Sequence, residues 1–244
     1  MNKKPEVSIV IPVRNEIEAL PRLMREMEQA ISSIKETCEI LIIDDHSNDS
    51  TPELVKNIVL NSDCKIRLVL LKNEQGKDWA LAEGFRQAQG SIIITLDGDG
   101  QNDPADIPMM LKSLKNNAMV CGIRKIRHDP IAKKLASLIA NKFRILITRD
   151  SIQDVGCALR IMRKDSARYL YPAVSCLNGA AHCFFPTILK IHGLKVTQIT
   201  VRHRERFAGS SKFSLANGRI MNGLKGCYYV LHLRSRLHQC NNTQ

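Results

Sequence analysis

The sequence predicts an α/β fold with a mostly parallel, doubly wound central sheet. Three observations carry that expectation. Short apolar runs rich in Ile and Val alternate with segments of helical periodicity through the first hundred residues, a βαβα rhythm. The polar loops of that region all follow an apolar run, and so fall at the carboxyl ends of strands, where such sheets bind ligands. A chain of 244 residues is long enough for one large α/β domain or two small ones with a substantial core.

The elements follow in order. Residues 7–13 read as the first strand. Over residues 19–34, Leu20, Leu23, Met27, Ile31 and Ile34 recur on one helical face. Residues 39–43 form the second strand. Ser50 as N-cap and Pro52 in the first turn start a second helix. Residues 66–71 are the third strand, and residues 79–89 a helix stopped by Gly90. Residues 91–96 are the fourth strand. The second half is less regular. It offers a strand at 119–122, a basic amphipathic helix at 131–147, a helix near 164–171, a strand at 195–202 and a helical tail from 215 to about 238. No internal repeat or low-complexity segment interrupts the chain.

Charge and cysteines narrow the class. No apolar run approaches the roughly 18 residues of a membrane span, and the opening residues lead straight into a strand, which predicts no signal peptide. Eight scattered cysteines contain no Cys-x-x-Cys pair, so reduced cytoplasmic thiols are expected rather than zinc or disulfides. The net charge is +12, and from residue 167 onward eleven Lys and Arg face a single acidic residue, Glu205. That asymmetry predicts an anionic partner. Nucleic acid is disfavoured, because aromatics are only 5% of residues and no DNA or RNA motif is present. The chain also lacks Gly-x-Gly-x-x-Gly after its first strand and any Walker-type loop, which excludes the usual NAD and P-loop signatures.

The most informative motif is Asp97-Gly98-Asp99, where the fourth strand opens into a loop. Gly98 and Gly100 free the backbone, and Gln101, Asn102 and Asp103 add oxygen ligands. Hard divalent cations take such oxygens and share them with substrate phosphates. The expected task is to hold a metal–diphosphate, such as that of a nucleotide-sugar.

In order and spacing, three segments resemble family 2 glycosyltransferases of the GT-A fold. They are Ser8–Glu16 (SIVIPVRNE), Ile43–Thr51 (IDDHSNDST) and Leu96–Gln101 (LDGDGQ). Gly122-Ile123-Arg124, Asp154–Arg160 (DVGCALR) and His203–Lys212 (HRERFAGSSK) are similar to the dolichol-phosphate mannose synthase group and its bacterial polyprenyl-phosphate relatives. The resemblance reaches about Phe213. It divides the chain into a GT-A domain over 1–213 and a basic amphipathic tail over 214–244.

The resemblance implies an inverting hexosyltransferase that moves a sugar from a GDP- or UDP-sugar to a polyprenyl or dolichyl phosphate. A soluble or glycan acceptor is the alternative. Asp97, Asp99 and Gln101 would ligate Mg²⁺ or Mn²⁺, with Gly98 between them. Pro12, Arg14, Glu16, Asp44 and Asp45 would line the nucleoside pocket, and Lys77 or a neighbour would sit over base or ribose. Arg124, Lys134, Arg204 and Lys212 would gather phosphates of donor or acceptor, with Ser137 beside the acceptor. Asp99 and Arg204 would stabilise the reacting diphosphate. Asp154 is the candidate base or acceptor-positioning carboxylate, its plain alternative being a turn cap. His203 reads as a strand cap or solvent-facing residue, and Arg127 and Lys133 as a solvated helix face. The segment carrying Arg204 and Lys212 reads as a lid hinged at Gly209.

Two departures are visible. Position 14 is Arg where an aromatic is frequent, and Gly100 stands where Leu is commoner, a change expected to loosen the metal loop. Many relatives also carry C-terminal membrane spans. Without one, access to the lipid would rely on the helix at 131–147 and the tail lying on the anionic cytoplasmic leaflet, or on a small membrane subunit. A homo-oligomer is left open.

Overall fold

The computed structural model describes residues 4–62, 64–125, 131–177, 179–207 and 219–241, and for 131–137, 139, 219, 220, 238, 240 and 241 the backbone alone. Lys212 and the proposed Gly209 hinge lie outside the described residues, as does Arg127. The side chains of Lys133, Lys134 and Ser137 fall within the backbone-only stretch.

The first half is the expected alternation: β1 (Val7–Val13), α1 (Leu20–Ser32), β2 (Cys38–Asp44), α2 (Thr51–Asn61), β3 (Lys65–Leu70), α3 (Lys77–Gln87) and β4 (Ile92–Thr95). A short 3-10 turn (Pro104–Asp106) leads into α4 (Ile107–Leu114) and β5 (Met119–Arg124). Then come α5 (Ile131–Thr148), β6 (Arg160–Arg163), a 3-10 turn (Lys164–Tyr169), α6 (Tyr171–Cys176), α7 (Ala181–Ile191), β7 (Val196–Val201) and α8 (Arg219–Asn241). The seven strands form one sheet in the order β3-β2-β1-β4-β6-β5-β7. β1 runs parallel to β2 and β4, and β2 parallel to β3. β6 enters antiparallel between β4 and β5, and β7 runs parallel to β5.

Strand alternation divides the core. Val7, Ile9, Ile11 and Val13 of β1 join the layer holding Leu20, Leu23 and Met27 of α1 and Ile107 and Met110 of α4. Val10 faces the opposite layer, with Phe85 of α3, Phe185 of α7 and Val230 of α8. On that second side the sheet buries a charge. Glu39 is fully buried, accepts from Ser8 Oγ (2.7 Å) and the Gln89 amide (2.7 Å), and pairs with Arg67 at 3.2 Å. A buried carboxylate persists only when its lone pairs are used in this way.

Several local expectations need correction. Ser50 makes no side-chain cap to α2; the Asp49 carboxylate accepts from the Thr51 amide at 3.0 Å instead. Gly90 does not stop α3, whose C-cap is Ala88. Gly90 is required by a close approach, since a Cβ there would lie 2.7 Å from the Glu6 carbonyl oxygen and 2.8 Å from the Ser8 amide. The helix read near 164–171 is a 3-10 turn followed by the separate α6. β6, α4 and α7 were not legible. β6 has four residues with Arg at both ends, α4 has eight, and α7 is apolar nearly all round with Pro186 inside it.

The tail is partly core. Cys227 and Val230 of α8 are buried, and a Cβ on Gly226 would strike the Phe184 ring. α8 packs on α5 and α7. Arg234 donates to the Thr148 carbonyl oxygen at 2.8 Å.

Gly90→Ala is expected to cost about 1–3 kcal/mol, the usual penalty of overpacking a tight site. Urea denaturation should show the loss as a lower midpoint with an unchanged slope.

Candidate active site at the carboxyl edge of the sheet

Hydrogen bonds knit the polar loops at the carboxyl ends of β1 to β4 together. After β1, the Asn15 amide donates to Ser47 Oγ at 2.9 Å, and the Asn48 amide donates to Asn15 Oδ1 at 2.9 Å. Asn15 and His46 both adopt positive φ, 51° and 58°, so each loop turns sharply as its strand ends. Asp44 accepts from the Ser47 amide (2.9 Å) and hydroxyl (2.5 Å). Asp45 accepts from the amides of Gln75 (2.8 Å) and Gly76 (2.9 Å). Both carboxylates, expected against the nucleoside, are buried and hold loops in this structure. Arg14 pairs with Glu74 across the same edge.

Gly76 turns the chain into α3 at φ 86°, and Lys77 then sets its ammonium 2.5 Å from the Asp97 carboxylate. Gly98 lets the acidic loop press on the end of β1: a Cβ there would lie 2.8 Å from Val13 Cγ1 and 3.5 Å from the Pro12 carbonyl oxygen. Asp99 is buried and receives the Gln101 amide at 3.0 Å. Arg206 reaches it at 2.8 Å and also approaches Glu16 at 3.3 Å. Burial works to raise the Asp97 pKa, but the charge and hydrogen bond of Lys77, together with the charges of His182 and Arg124, hold the carboxyl below the usual range. Asp99 is pushed up, first by burial and then by the charge of Asp97. Two crowded oxygen ligands of this kind suit a hard divalent cation, whose charge would relieve their repulsion. Among the described residues, no three His, Cys, Asp or Glu side chains cluster to hold a metal by themselves. The donor set therefore fits a magnesium-like ion that shares its shell with amide oxygen, water and phosphate.

The segment 203–207 lies along this loop. The Arg204 amide donates to the Gln101 carbonyl (3.0 Å) and the Phe207 amide to the Asp99 carbonyl (3.1 Å). His203 forms an antiparallel bridge with Asn102 and is 7% exposed, so it is an interior residue rather than a solvent-facing cap. Gly100 takes φ 77°, and the Phe207 ring fills the space its missing side chain leaves. The glycine thus closes the loop under an aromatic lid instead of loosening it. Arg22 and Arg204 flank that ring at 4.0 and 4.8 Å from its centroid. Arg204, expected on phosphate, pairs with Glu26 of α1 at 2.7 Å. Arg206, two residues on, is the arginine that reaches the acidic pair. Both lie in one basic stretch, and nothing in the sequence separates them.

On the other side of the acidic loop, β5 ends in Arg124. Asp154 grips it through Nε (2.7 Å), Nη2 (2.8 Å) and the backbone amide (3.1 Å). Gly156 makes room for this fork, since a Cβ there would lie 2.7 Å from Arg124 Nη2. With its oxygens so used, Asp154 holds the Arg124 guanidinium in a fixed orientation.

Three more residues escaped the sequence reading. Asp78, 1% exposed, accepts from the amides of Ala181 (2.7 Å) and His182 (3.0 Å), and contacts His182 Nδ1 at 2.5 Å. Arg160 of β6 donates to the carbonyls of Cys157 (3.0 Å), Val155 (2.7 Å) and His182. Lys77, Thr95, Asp97, Arg160, His182 and Phe185 help to enclose a cavity of about 10 Å³ beneath the acidic loop. Asp78 and His182 stand 104 residues apart, so only the tertiary fold joins them.

The model of the family described as "Glycosyl transferase family 2" matches residues 8–170. The chain belongs to that family. Among curated family 2 relatives, it is 37% identical over 210 residues to undecaprenyl-phosphate 4-deoxy-4-formamido-L-arabinose transferase of Salmonella choleraesuis (strain SC-B67). The match covers 86% of this chain and 63% of the relative. The Salmonella paratyphi B enzyme of the same name matches to the same extent. The chain thus spans under two thirds of the length of these relatives. In fold, it is similar to glucosyl-3-phosphoglycerate synthase from Mycobacterium tuberculosis, solved with Mg²⁺ and uridine diphosphate: TM-score 0.69, 14% identity, 91% of this chain and 79% of that one. A mannosyltransferase from Pyrobaculum calidifontis, solved with GDP-Man and Mn²⁺, gives a TM-score of 0.54 at 19% identity over 82% of this chain and 56% of that one. The α/β architecture is therefore that of GT-A enzymes.

Burial pulls the His182 pKa down, but the Cys183 sulfur and the Asp78 carboxylate outweigh it and lift the group to about 9. The Asp78 share of that shift stabilises the fold below the unfolded value near 6.5 and fades as pH rises through the folded one, while the Cys183 share is offset by a thiol that folding pulls down to about 7. With Cys183→Ala removing that offset, the urea midpoint should fall as pH rises from 6 to 9 by more with His182 present than in Cys183→Ala/His182→Gln.

Proposed function

We propose that the chain is a metal-dependent, inverting glycosyltransferase. It moves a sugar from a nucleotide-sugar to a polyprenyl phosphate at the cytoplasmic face of a membrane. The observation that carries this reading is the 37% identity to an undecaprenyl-phosphate sugar transferase over 210 residues, a stretch long enough to take in most of the edge just described. The domain of 1–213 would hold the chemistry, and the tail 214–244 would add membrane contact.

Asp97 and Asp99, with Gln101, would hold Mg²⁺ or Mn²⁺, and the ion would stabilise charge on the donor diphosphate. Pro12, Arg14 and Glu16 at the end of β1, with the loops that Asp44 and Asp45 hold, would frame the nucleoside. Lys77 and Arg206, held beside the acidic pair, would meet the charge that builds on the diphosphate. Arg204 would back that segment from its place beside Phe207. Arg124, oriented by Asp154, presents a guanidinium to an acceptor phosphate, and Lys134, Ser137 and Lys212 are further candidates for that contact. A phosphate monoester has its second pKa near 6, so the attacking oxygen is already largely ionised. The reaction therefore needs no base from Asp154.

Access to lipid follows from α5 and α8. No helix among the described residues is long and apolar enough to cross a membrane. α5 exposes Leu138, Phe143 and Leu146, the last at 75%, beside exposed Lys142 and Arg149. α8 exposes Met221, Leu224, Tyr228 and Leu231, with Lys225 and Arg236. Apolar and cationic side chains together suit the surface of an anionic bilayer.

Two measurements test the reading. A panel of UDP- and GDP-sugars with Mg²⁺ or Mn²⁺ should release nucleoside diphosphate only when a short-chain polyprenyl phosphate is present. Asp99→Ala should reduce that release by about 10²–10³-fold, and turnover with no lipid dependence would defeat the acceptor assignment. Sedimentation with vesicles should show binding to phosphatidylglycerol-rich but not phosphatidylcholine membranes, weakened in Phe143→Ser/Leu146→Ser.

A further inference from the structure

The first turn of α3 carries two charged residues that face different neighbours. Lys77 holds the Asp97 carboxylate at 2.5 Å, while Asp78 takes two backbone amides and the imidazole at the start of α7. Consecutive residues on a helix point about 100° apart, so the turn is held from two sides at once. Asp78 is 1% exposed and its three contacts all come from Ala181 and His182. A carboxylate so buried and so bonded has one place to sit. Where Asp78 sits, the backbone of Lys77 must follow.

His182 is fixed in turn from the far side. Its carbonyl receives Arg160, whose guanidinium also binds the carbonyls of Val155 and Cys157. Val155 follows Asp154, the carboxylate that grips Arg124. A continuous set of bonds thus runs from Asp97 through Lys77, Asp78, His182 and Arg160 to the Asp154–Arg124 pair. The cavity of about 10 Å³ touched by Lys77, Asp97, Arg160 and His182 has room for about one water, so these groups have little slack.

We propose that His182, gripped by Asp78, is a positioning residue of the donor site, acting through the first turn of α3 to hold Lys77 against Asp97. The proposal rests on the reading that Asp97 and Asp99 hold a donor's metal–diphosphate. In this role His182 acts through its bonds to Asp78 and the start of α3. Its removal frees the turn that aims Lys77, and the donor's diphosphate then meets a mobile ammonium in place of a fixed one.

The chain supplies its own reporter. Trp79 is its single tryptophan and directly follows Asp78 in the same turn. Its emission can follow titration of the full chain with UDP or GDP in the presence of Mn²⁺. His182→Leu should weaken nucleoside diphosphate binding by about tenfold, in the range of couplings between bonded neighbours. His182→Gln retains an N–H donor for Asp78 and should restore binding to within about threefold of the native chain, a rescue that loss of packing alone would not give. Lys77→Gln should also weaken binding. Because His182 acts through Lys77, the double variant Lys77→Gln/His182→Leu should bind no worse than Lys77→Gln alone.

Native-like binding by His182→Leu, failure of the Gln rescue, or losses that add in the double variant would each overturn the positioning role while leaving the donor-site reading intact. Failure of the native chain itself to bind either nucleotide with metal would overturn the donor-site reading, and this inference with it.

Discussion

Two carboxylates one residue apart at the mouth of a buried strand repel each other, and the architecture around the sheet edge answers that repulsion. Asp97 is met by Lys77 and Asp99 by Arg206. The two cations arrive on different parts of the chain, one on the first turn of a helix and one on an extended segment over 100 residues later. Neither could be placed without a scaffold that fixes both. Surface ion pairs contribute little on their own, but this pair of contacts lies where the loop is partly or wholly shielded. They set the geometry of the site more than they set the stability of the fold.

The scaffold works because parallel strands deliver their loops to one edge. β1, β2, β3 and β4 are all mutually parallel neighbours, so four successive loops meet there and bond to one another. β6 breaks the rule for a reason visible in its contacts. Running antiparallel between β4 and β5, it brings Arg160 opposite Thr95, two residues before the acidic loop begins. A parallel strand in the same slot would have carried that arginine away on a different register. The insertion thus gives the edge an interior cation that ties loop 154–157 to α7.

The sequence carried the first half of this plan because parallel buried strands are nearly continuous apolar runs and their helices are amphipathic. It carried the acidic pair because that pair follows a buried strand and stands with three other polar loops at the same strand ends, where an isolated Asp-x-Asp would read as a polar turn. It did not carry partners that meet only in three dimensions. Arg204 and Arg206 share one basic stretch, and only packing sends the first to Glu26 and the second to Asp99. Asp78 and His182 are 104 residues apart, and no local pattern marks either as the other's partner. Gly100 shows the opposite failure. A glycine where Leu is commoner predicts a looser loop, but Phe207, 107 positions along the chain, occupies the vacated space.

Residues that would face ligand are distinct from residues that aim them. Asp154 has the chemistry of a base, but a carboxylate already receiving a guanidinium fork and two amides gains little by taking a proton. Asp78 stands in the same relation to Lys77 that Asp154 does to Arg124: each acid, Asp78 buried and Asp154 half-buried, fixes a cation, one through the backbone and one directly. Under the proposed reaction the two cations stand at the donor diphosphate and the acceptor phosphate, and Arg160 joins their supports. Aiming both through one rigid network favours the in-line approach of two anions that would otherwise repel. That arrangement asks of the protein orientation and charge stabilisation, which are the two things a sheet edge lined with held cations can provide.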